Sequence, residues 1–223
     1  MLSRLSAFKK AEAHYFMETK MGQKTGHTLV LVHGIFNTGR IFSRMARYFE
    51  ARGVRTLTPN LRPSSGAGGL ESLGLQLKKY IDAEVEPEET LDLIGFSMGG
   101  LISRYYLQHL GGAQRVRRFV AISAPLHGSM LAWLVPSQGC RQMRPGSQFL
   151  AALNQDTESL AQVDMLTLWT PYDLMILPAK SSVTSLGRAL KLPVLLHDMM
   201  IRDKRALESI AEFLLDGQAK DRF

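Results

Sequence analysis

The stretch Gly95-Phe96-Ser97-Met98-Gly99 carries the clearest chemistry in the sequence. A serine spaced G-x-S-x-G can sit on a sharp strand-to-helix turn that lifts its Oγ clear of the backbone, and the flanking glycines remove side chains that would collide with it. The context fits, because the apolar run Leu91-Asp-Leu-Ile94 precedes the motif and a helical pattern follows it. A helix beginning there aims its first N–H groups and the positive end of its dipole at the serine, where an oxyanion would form. A serine hydroxyl is a poor nucleophile at neutral pH. It needs a general base, and the base needs an orienting carboxylate.

Six histidines are available as the base. His14 and His27 precede or begin the first strand, and His109 lies at the exposed end of the helix after Ser97, so these three read as structural or solvated. His33 ends the first strand and His127 follows the fourth, which places both near the site. His197 comes directly after the last strand candidate and before the last helix. Its loop therefore falls at the carboxyl edge of the sheet, where Ser97 also lies, and His197 is assigned as the base. Asp173, in the turn Thr170-Pro-Tyr-Asp173 after a strand, reaches the same edge and is assigned as the carboxylate. Asp198 is adjacent to His197 and points away from it, Asp164 lies at the wrong end of its strand, and Asp92 lies within one.

The elements that must hold these residues alternate along the chain. Short β-branched or leucine-rich runs are expected as strands at 27–33, 54–59, 91–96, 117–123, 165–170 and 192–196. Such uniformly apolar runs suit a mainly parallel sheet covered on both faces. Between them, Ile41, Met45, Tyr48 and Phe49 fall at helical spacing, as do Leu70, Leu73, Leu77 and Ile81, then Leu101, Tyr105 and Leu110. Each set marks one buried helix face. The third helix should stop at Gly111-Gly112, and a last one, about 203–215, has Asp203 as its N-cap. The Gly/Ser/Pro segment 62–69 reads as a mobile surface connection. Residues 126–164 show no strand signal, only Met130-Leu-Ala-Trp-Leu-Val135 and a helix-like 147–153, and read as a lid-like insertion over one end of the sheet. The termini, 1–24 and 217–223, look like peripheral attachments; Leu2, Leu5 and Phe8 beside Arg4, Lys9 and Lys10 suggest an amphipathic helix packed back onto the domain.

At 223 residues and 45% apolar composition, the chain suits a single α/β domain, 1–223, with a core at about 27–215 and the insertion at about 126–164. No run of 18 apolar residues is present, so no spanning helix is expected. Met1 to Lys10 has no continuous apolar stretch or cleavage site of a secretory leader, and Cys140 has no intrachain partner. Both point to a cytoplasmic setting. The net charge of +7 is concentrated in the first 62 residues and in Arg115, Arg117, Arg118, Arg141 and Arg144. Without interleaved aromatics for base stacking, this reads as a solvated basic surface with no nucleic-acid partner, and as a candidate for peripheral contact with anionic membrane.

The order Ser97, Asp173, His197 is that of α/β-hydrolases. The sequence resembles that superfamily, and within it compact bacterial triacylglycerol lipases and PGAP-like lipases, through Leu29-Val-Leu-Val-His-Gly-Ile-Phe36, Gly95-Phe-Ser-Met-Gly-Gly100, Ser123-Ala-Pro-Leu-His-Gly-Ser129, Pro171-Tyr-Asp173 and Leu196-His197. The resemblance implies an α/β-hydrolase fold with helices on both faces of the sheet. It also implies an oxyanion hole made by the amide of Met98 and that of Ile35, with Phe36 the neighbouring alternative. The family has Pro-His after its fourth strand where this chain inserts Leu126, so His127 reads as structural. The implied reaction is hydrolysis of a carboxylic ester, a small-molecule acyl ester or lipid, with Phe36 and Met98 lining the acyl pocket; the apolar segment 130–135, with Leu131 and Trp133, sits where the insertion could cover the site and reads either as a lining or lid of that pocket or as an ordinary buried helix. Nothing in it requires a metal or organic cofactor, and no His/Cys/Asp cluster has ligand spacing. A thioesterase or an acyltransferase would use the same triad, and an inactive hydrolase-fold binding protein is the reading from another class.

Overall fold

The computed structural model describes residues 27–215. The amphipathic segment expected around Leu2, Leu5 and Phe8, both peripheral termini and His14 lie outside the described residues. In chain order the elements are β1 (Thr28–Val32), α1 (Ser43–Glu50), β2 (Arg55–Leu57), α2 (Leu70–Glu84), β3 (Leu91–Phe96), α3 (Met98–His109), β4 (Val116–Ile122), α4 (Gln138–Gln142), α5 (Gln148–Gln155), β5 (Asp164–Trp169), β6 (Arg188–Lys191) and α6 (Lys204–Leu215), with short 3-10 turns between them. The six strands form one sheet in the order β2-β1-β3-β4-β5-β6, and every pairing is parallel. All strand carboxyl ends therefore share one edge.

The alternation along β1 explains the layering. Val30 and Val32 join one core with Leu70, Leu73, Leu77 and Ile81 of α2 and with Leu101 and Ile102 of α3. Leu29 and Leu31 join the opposite core with Met45 and Phe49 of α1 and with Leu207, Ile210 and Leu214 of α6. The four α2 side chains are fully buried, and burial of each such leucine or isoleucine contributes about 1.5–3 kcal/mol. Helix α3 ends as its sequence indicates, with Gly111 in the left-handed conformation at φ 78°. Asp203 Oδ1 accepts the Arg205 N–H at 2.9 Å at the start of α6.

Five strands fall within two residues of their expected bounds. The sixth does not. It occupies Arg188–Lys191 and not 192–196. Leu192 N–H is the last to reach β5, at the Trp169 carbonyl; Pro193 has no N–H to offer, and Val194 N–H turns back to the Leu192 carbonyl. Two further expectations are corrected. Helix α3 is buried around most of its circumference rather than on one stripe, because α5 of the insertion packs on it and encloses Arg104 and Gln108. Burial pushes the Arg104 guanidinium down to about 10, and its partners are Gln108 Oε1, Asn154 Oδ1 and the Leu153 carbonyl. Segment 62–69, expected to be mobile, is tied to the insertion by Gly139 N–H to the Gly66 carbonyl at 2.8 Å, and to the turn after β1 by Phe36 N–H to the Ser64 carbonyl at 2.9 Å.

Candidate active site

Ser97 follows β3 directly, at φ 54° and ψ −125°, in the left-handed region that a non-glycine residue occupies only when its surroundings impose it. Its own N–H is held by the Ile122 carbonyl at 2.9 Å, and its carbonyl accepts the Gly100 N–H at 2.9 Å. Both flanking glycines are required by space. A Cβ at Gly95 would collide with Gly100, and one at Gly99 would collide with the Val32 carbonyl oxygen. Helix α3 starts at Met98, whose N–H lies in the first turn and has no intrahelical acceptor.

His197 and Asp173 meet beside this turn. His197 Nδ1 lies 2.8 Å from Asp173 Oδ2 and 3.0 Å from Oδ1. Both side chains are buried, at 8% and 3% exposure. The His197 ring packs 4.8 Å, centroid to centroid, from that of Phe96, the residue before Ser97. Asp173 Oδ1 also accepts the N–H groups of Met175 at 2.9 Å and Ile176 at 3.0 Å. Burial alone would push the Asp173 carboxyl up; the hydrogen bond from His197, its charge and the amides of Ile176 and Met175 outweigh that, and the net result is a carboxyl held below its ordinary value.

The turn after β1 approaches the same serine. A Cβ built on Gly34 would stand 3.0 Å from the Ser97 Cβ, tighter than ordinary contact, so glycine lets the chain pass there without displacing the serine. Phe36, at φ 58°, has its N–H committed to the Ser64 carbonyl. That leaves the Ile35 amide as the available donor of the two. His33 braces this turn: Nδ1 donates to the Gly34 carbonyl at 2.9 Å and Nε2 accepts the Leu61 N–H at 3.0 Å. Burial holds the His33 pKa below its ordinary value, partly opposed by the Gly34 carbonyl.

The other sequence candidates are spread around the edge. Met98 has its side chain in the core beneath segment 62–69, with its Sδ beside Gly66. Phe36 is 64% exposed and Trp133 57% exposed, while Leu131 is half-buried. Trp133 carries the Arg144 guanidinium over its ring at 4.1 Å. His127 is exposed and its Nδ1 approaches the Ser181 carbonyl at 3.3 Å. Asp92 and His27 pair with each other at the opposite, amino edge. Among the described residues, no group of three or more His, Cys, Asp or Glu side chains could hold a metal ion, and no helix is long and apolar enough to cross a membrane.

Two residues that brace the site were not singled out from sequence. Thr170 Oγ1 donates to the Val194 carbonyl at 2.5 Å and accepts the Tyr172 N–H at 3.3 Å, joining the loop that carries Asp173 to the one that carries His197. Ser129 Oγ donates to the Met175 carbonyl at 2.9 Å and accepts the Leu177 N–H at 3.1 Å, joining the insertion to the Asp173 loop. A threonine or serine just past a strand is the available signal, since short hydroxyl side chains cap and close turns.

The mature lipase BlEst2 of Bacillus licheniformis is similar in structure, with a TM-score of 0.67, 17% identity and coverage of 84% of this chain and 91% of that one. Lipase B of Aspergillus fumigatus superposes with a TM-score of 0.75 at 17% identity, over 86% of this chain and 53% of that one. A pyrethroid hydrolase of Sphingobium faniae gives 0.59 at 18% identity, over 87% and 99%. At these identities the likeness concerns the fold. Among curated protein sequences none matches the chain. The sequence profile of the alpha/beta hydrolase fold family matches residues 27–185. With the parallel sheet and the serine turn after β3, that match places the chain in the α/β-hydrolase family.

Proposed function

We propose that this hydrolase cleaves carboxylic esters of apolar acyl chains, with Ser97 as nucleophile, His197 as general base and Asp173 as the group that orients the imidazole. The observation that carries the reading is the buried Asp173–His197 contact packed against Phe96, next to a serine held at positive φ at the head of α3. With Nδ1–H committed to Asp173, Nε2 is the nitrogen left to take the Ser97 proton as Oγ attacks the ester carbonyl. The amides of Met98 and Ile35 stabilise the developing oxyanion. His197 then protonates the departing alkoxide. Water, deprotonated by the same imidazole, releases the acid and restores Ser97.

The acyl chain is assigned to the β4–β6 side of Ser97. There the loops at the carboxyl edge expose Trp133 and Leu134 after β4, Leu174 and Met175 after β5, and Leu195 and Leu196 after β6. An apolar surface collected from three separate loops suits an acyl chain or a lipid assembly. The turn at Met130–Trp133 is pinned by Met130 N–H to the Leu177 carbonyl at 2.8 Å, so it acts as a wall of this surface.

A p-nitrophenyl ester series from short to long acyl chains tests the proposal, with wild type compared against Ser97→Ala. Turnover that disappears in the variant supports it, and the chain-length optimum then separates lipase from short-chain esterase. Equal rates in the two proteins would contradict it. Turnover of acyl thioesters alone would replace the ester reading with a thioesterase.

A further inference from the structure

On the other side of Ser97, beyond the exposed Phe36 of the turn after β1, the carboxyl edge turns polar. Between the loops after β1 and β2 lies a cleft of about 620 Å³ lined by Asn37, Thr38, Asn60, Arg62 and Ser64, together with Leu61 and Pro63. No carboxylate lines it. The Arg62 guanidinium and the hydroxyls of Thr38 and Ser64 have no protein acceptor among the described residues. The frame behind these groups is nevertheless fixed. Gln76 of α2 clamps the backbone of Arg62 from both sides, accepting its N–H at 2.9 Å and donating to its carbonyl at 2.5 Å. Leu61 N–H is held by His33, and Asn60 Oδ1 accepts the Gly39 N–H at 2.9 Å. The Ser64 carbonyl holds Phe36 N–H, and Asn37 Nδ2 donates to the Ile35 carbonyl at 3.0 Å. The cleft therefore shares its wall with the turn that approaches Ser97.

We infer that this cleft receives the alcohol part of the substrate, and that this part carries an anionic oxygen group, a phosphate or a carboxylate, held by Arg62. The inference rests on the ester-hydrolase reading. An ester carbonyl sends its acyl and alkoxy substituents to opposite sides, so with the acyl chain over the apolar β4–β6 surface the alkoxy group falls towards β1 and β2. A guanidinium offers five donors in a planar fork matched to phosphate or carboxylate oxygens, and hydroxyl and amide donors around it complete the shell. The substrate is thus an amphiphile bound across Ser97, tail to one side and charged head to the other.

Three octanoyl esters sharing one acyl chain test this: those of glycerol 3-phosphate, of glycerate and of glycerol. Wild type should favour at least one anionic ester over the neutral one by about tenfold in kcat/KM, the size expected of one charge-assisted contact. Arg62→Ala should bring that ratio close to one, and Arg62→Lys should restore part of it. The preferred anionic ester distinguishes phosphate from carboxylate. A wild-type ratio near one, or a ratio unchanged in Arg62→Ala, overturns the inference. Calorimetric titration of Ser97→Ala with octanoyl glycerol 3-phosphate and octanoyl glycerate reads the cleft without chemistry. If wild type hydrolyses none of the three esters, binding that is lost in Ser97→Ala/Arg62→Ala sustains the cleft while the hydrolase reading fails; equal titrations of the two variants overturn the cleft itself.

Discussion

The sheet holds two histidine–aspartate pairs, one at each edge, with almost the same separation. At the carboxyl edge His197 Nδ1 lies 2.8 Å from Asp173 Oδ2; at the amino edge His27 Nε2 lies 2.9 Å from Asp92 Oδ2. What differs is the rest of the neighbourhood. Arg117 reaches over the amino-edge pair, with its Nη2 2.9 Å from both Asp92 Oδ2 and His27 Nδ1, so one guanidinium bridges the carboxylate and the imidazole. The same guanidinium extends to the Leu214 carbonyl and ties α6 to the sheet. That cluster is a clamp. The carboxyl-edge pair joins through one ring nitrogen, and its imidazole packs on Phe96, the residue before the strained Ser97. The non-glycine residues at positive φ among the described residues, Phe36, Ser97 and Ser123, all follow strands at this edge. Strained backbone persists where the surrounding structure over-determines it, and it collects at functional sites. A histidine–carboxylate contact is therefore no signature by itself; the group across the ring decides its use.

The sharpest way to break this contrast is to remove the nucleophile. Ser97→Ala should lower kcat on esters by about 10⁴-fold or more, as loss of a triad serine does, with thermal unfolding little changed. Matched carboxylate variants come next. Asp173→Asn should lower kcat by about 10³–10⁴-fold, because the imidazole loses its orienting acceptor. Asp92→Asn should instead leave kcat within about twofold and destabilise the fold by roughly 2–4 kcal/mol, since it leaves Arg117 and His27 without their buried partner. Steady-state kinetics beside urea unfolding separates the two, and equal kinetic losses would erase the distinction.

A third prediction concerns pH. Burial holds the His33 pKa below the ordinary histidine value of about 6.5, so over the range just below that value the unfolded chain binds more protons than the folded one. Stability is then fully present above about 6.5 and falls as pH drops towards 5. Urea midpoints across that range should decline in wild type and decline less steeply in His33→Gln. Asp173, also held below its ordinary value, adds a loss at lower pH still, as its carboxylate is protonated. The smallest effect is expected at the apolar surface. Trp133→Ala and Leu131→Ala should shift the acyl-length optimum and lower long-chain kcat/KM by about threefold to tenfold, in line with the loss of a few methylene contacts. Equal losses on short and long esters would argue against an acyl wall.

Much of the frame was legible in the sequence, because buried parallel strands are uniformly apolar and their helices keep a 3.6-residue stripe. Asp173 and His197 could be matched because each lies past a strand end, and in a parallel sheet those ends share one edge. Strand β6 was hidden for the complementary reason. At the edge of the sheet and largely exposed, Arg188-Ala-Leu-Lys191 carries no apolar pattern, while the buried Leu192 and Val194 of the following loop imitate one. The fixed state of segment 62–69 was hidden too, since its acceptors and donors, at Phe36 and Gly139, lie far away in sequence. Thr170 and Ser129 escaped notice likewise, their partners at Val194 and Met175 being long-range.

The most direct test of the central claim is covalent. A fluorophosphonate probe reacts with a serine only when a neighbouring base activates it, displacing fluoride to leave a phosphonylated hydroxyl. Mass spectrometry of the labelled, digested protein should find one modified peptide containing Ser97, no label in Ser97→Ala, and markedly slowed labelling in Asp173→Asn with normal labelling in Asp92→Asn. Absence of label on Ser97 in folded wild type, or labelling that Asp173→Asn leaves unchanged, would contradict the assignment of these residues to a hydrolytic triad.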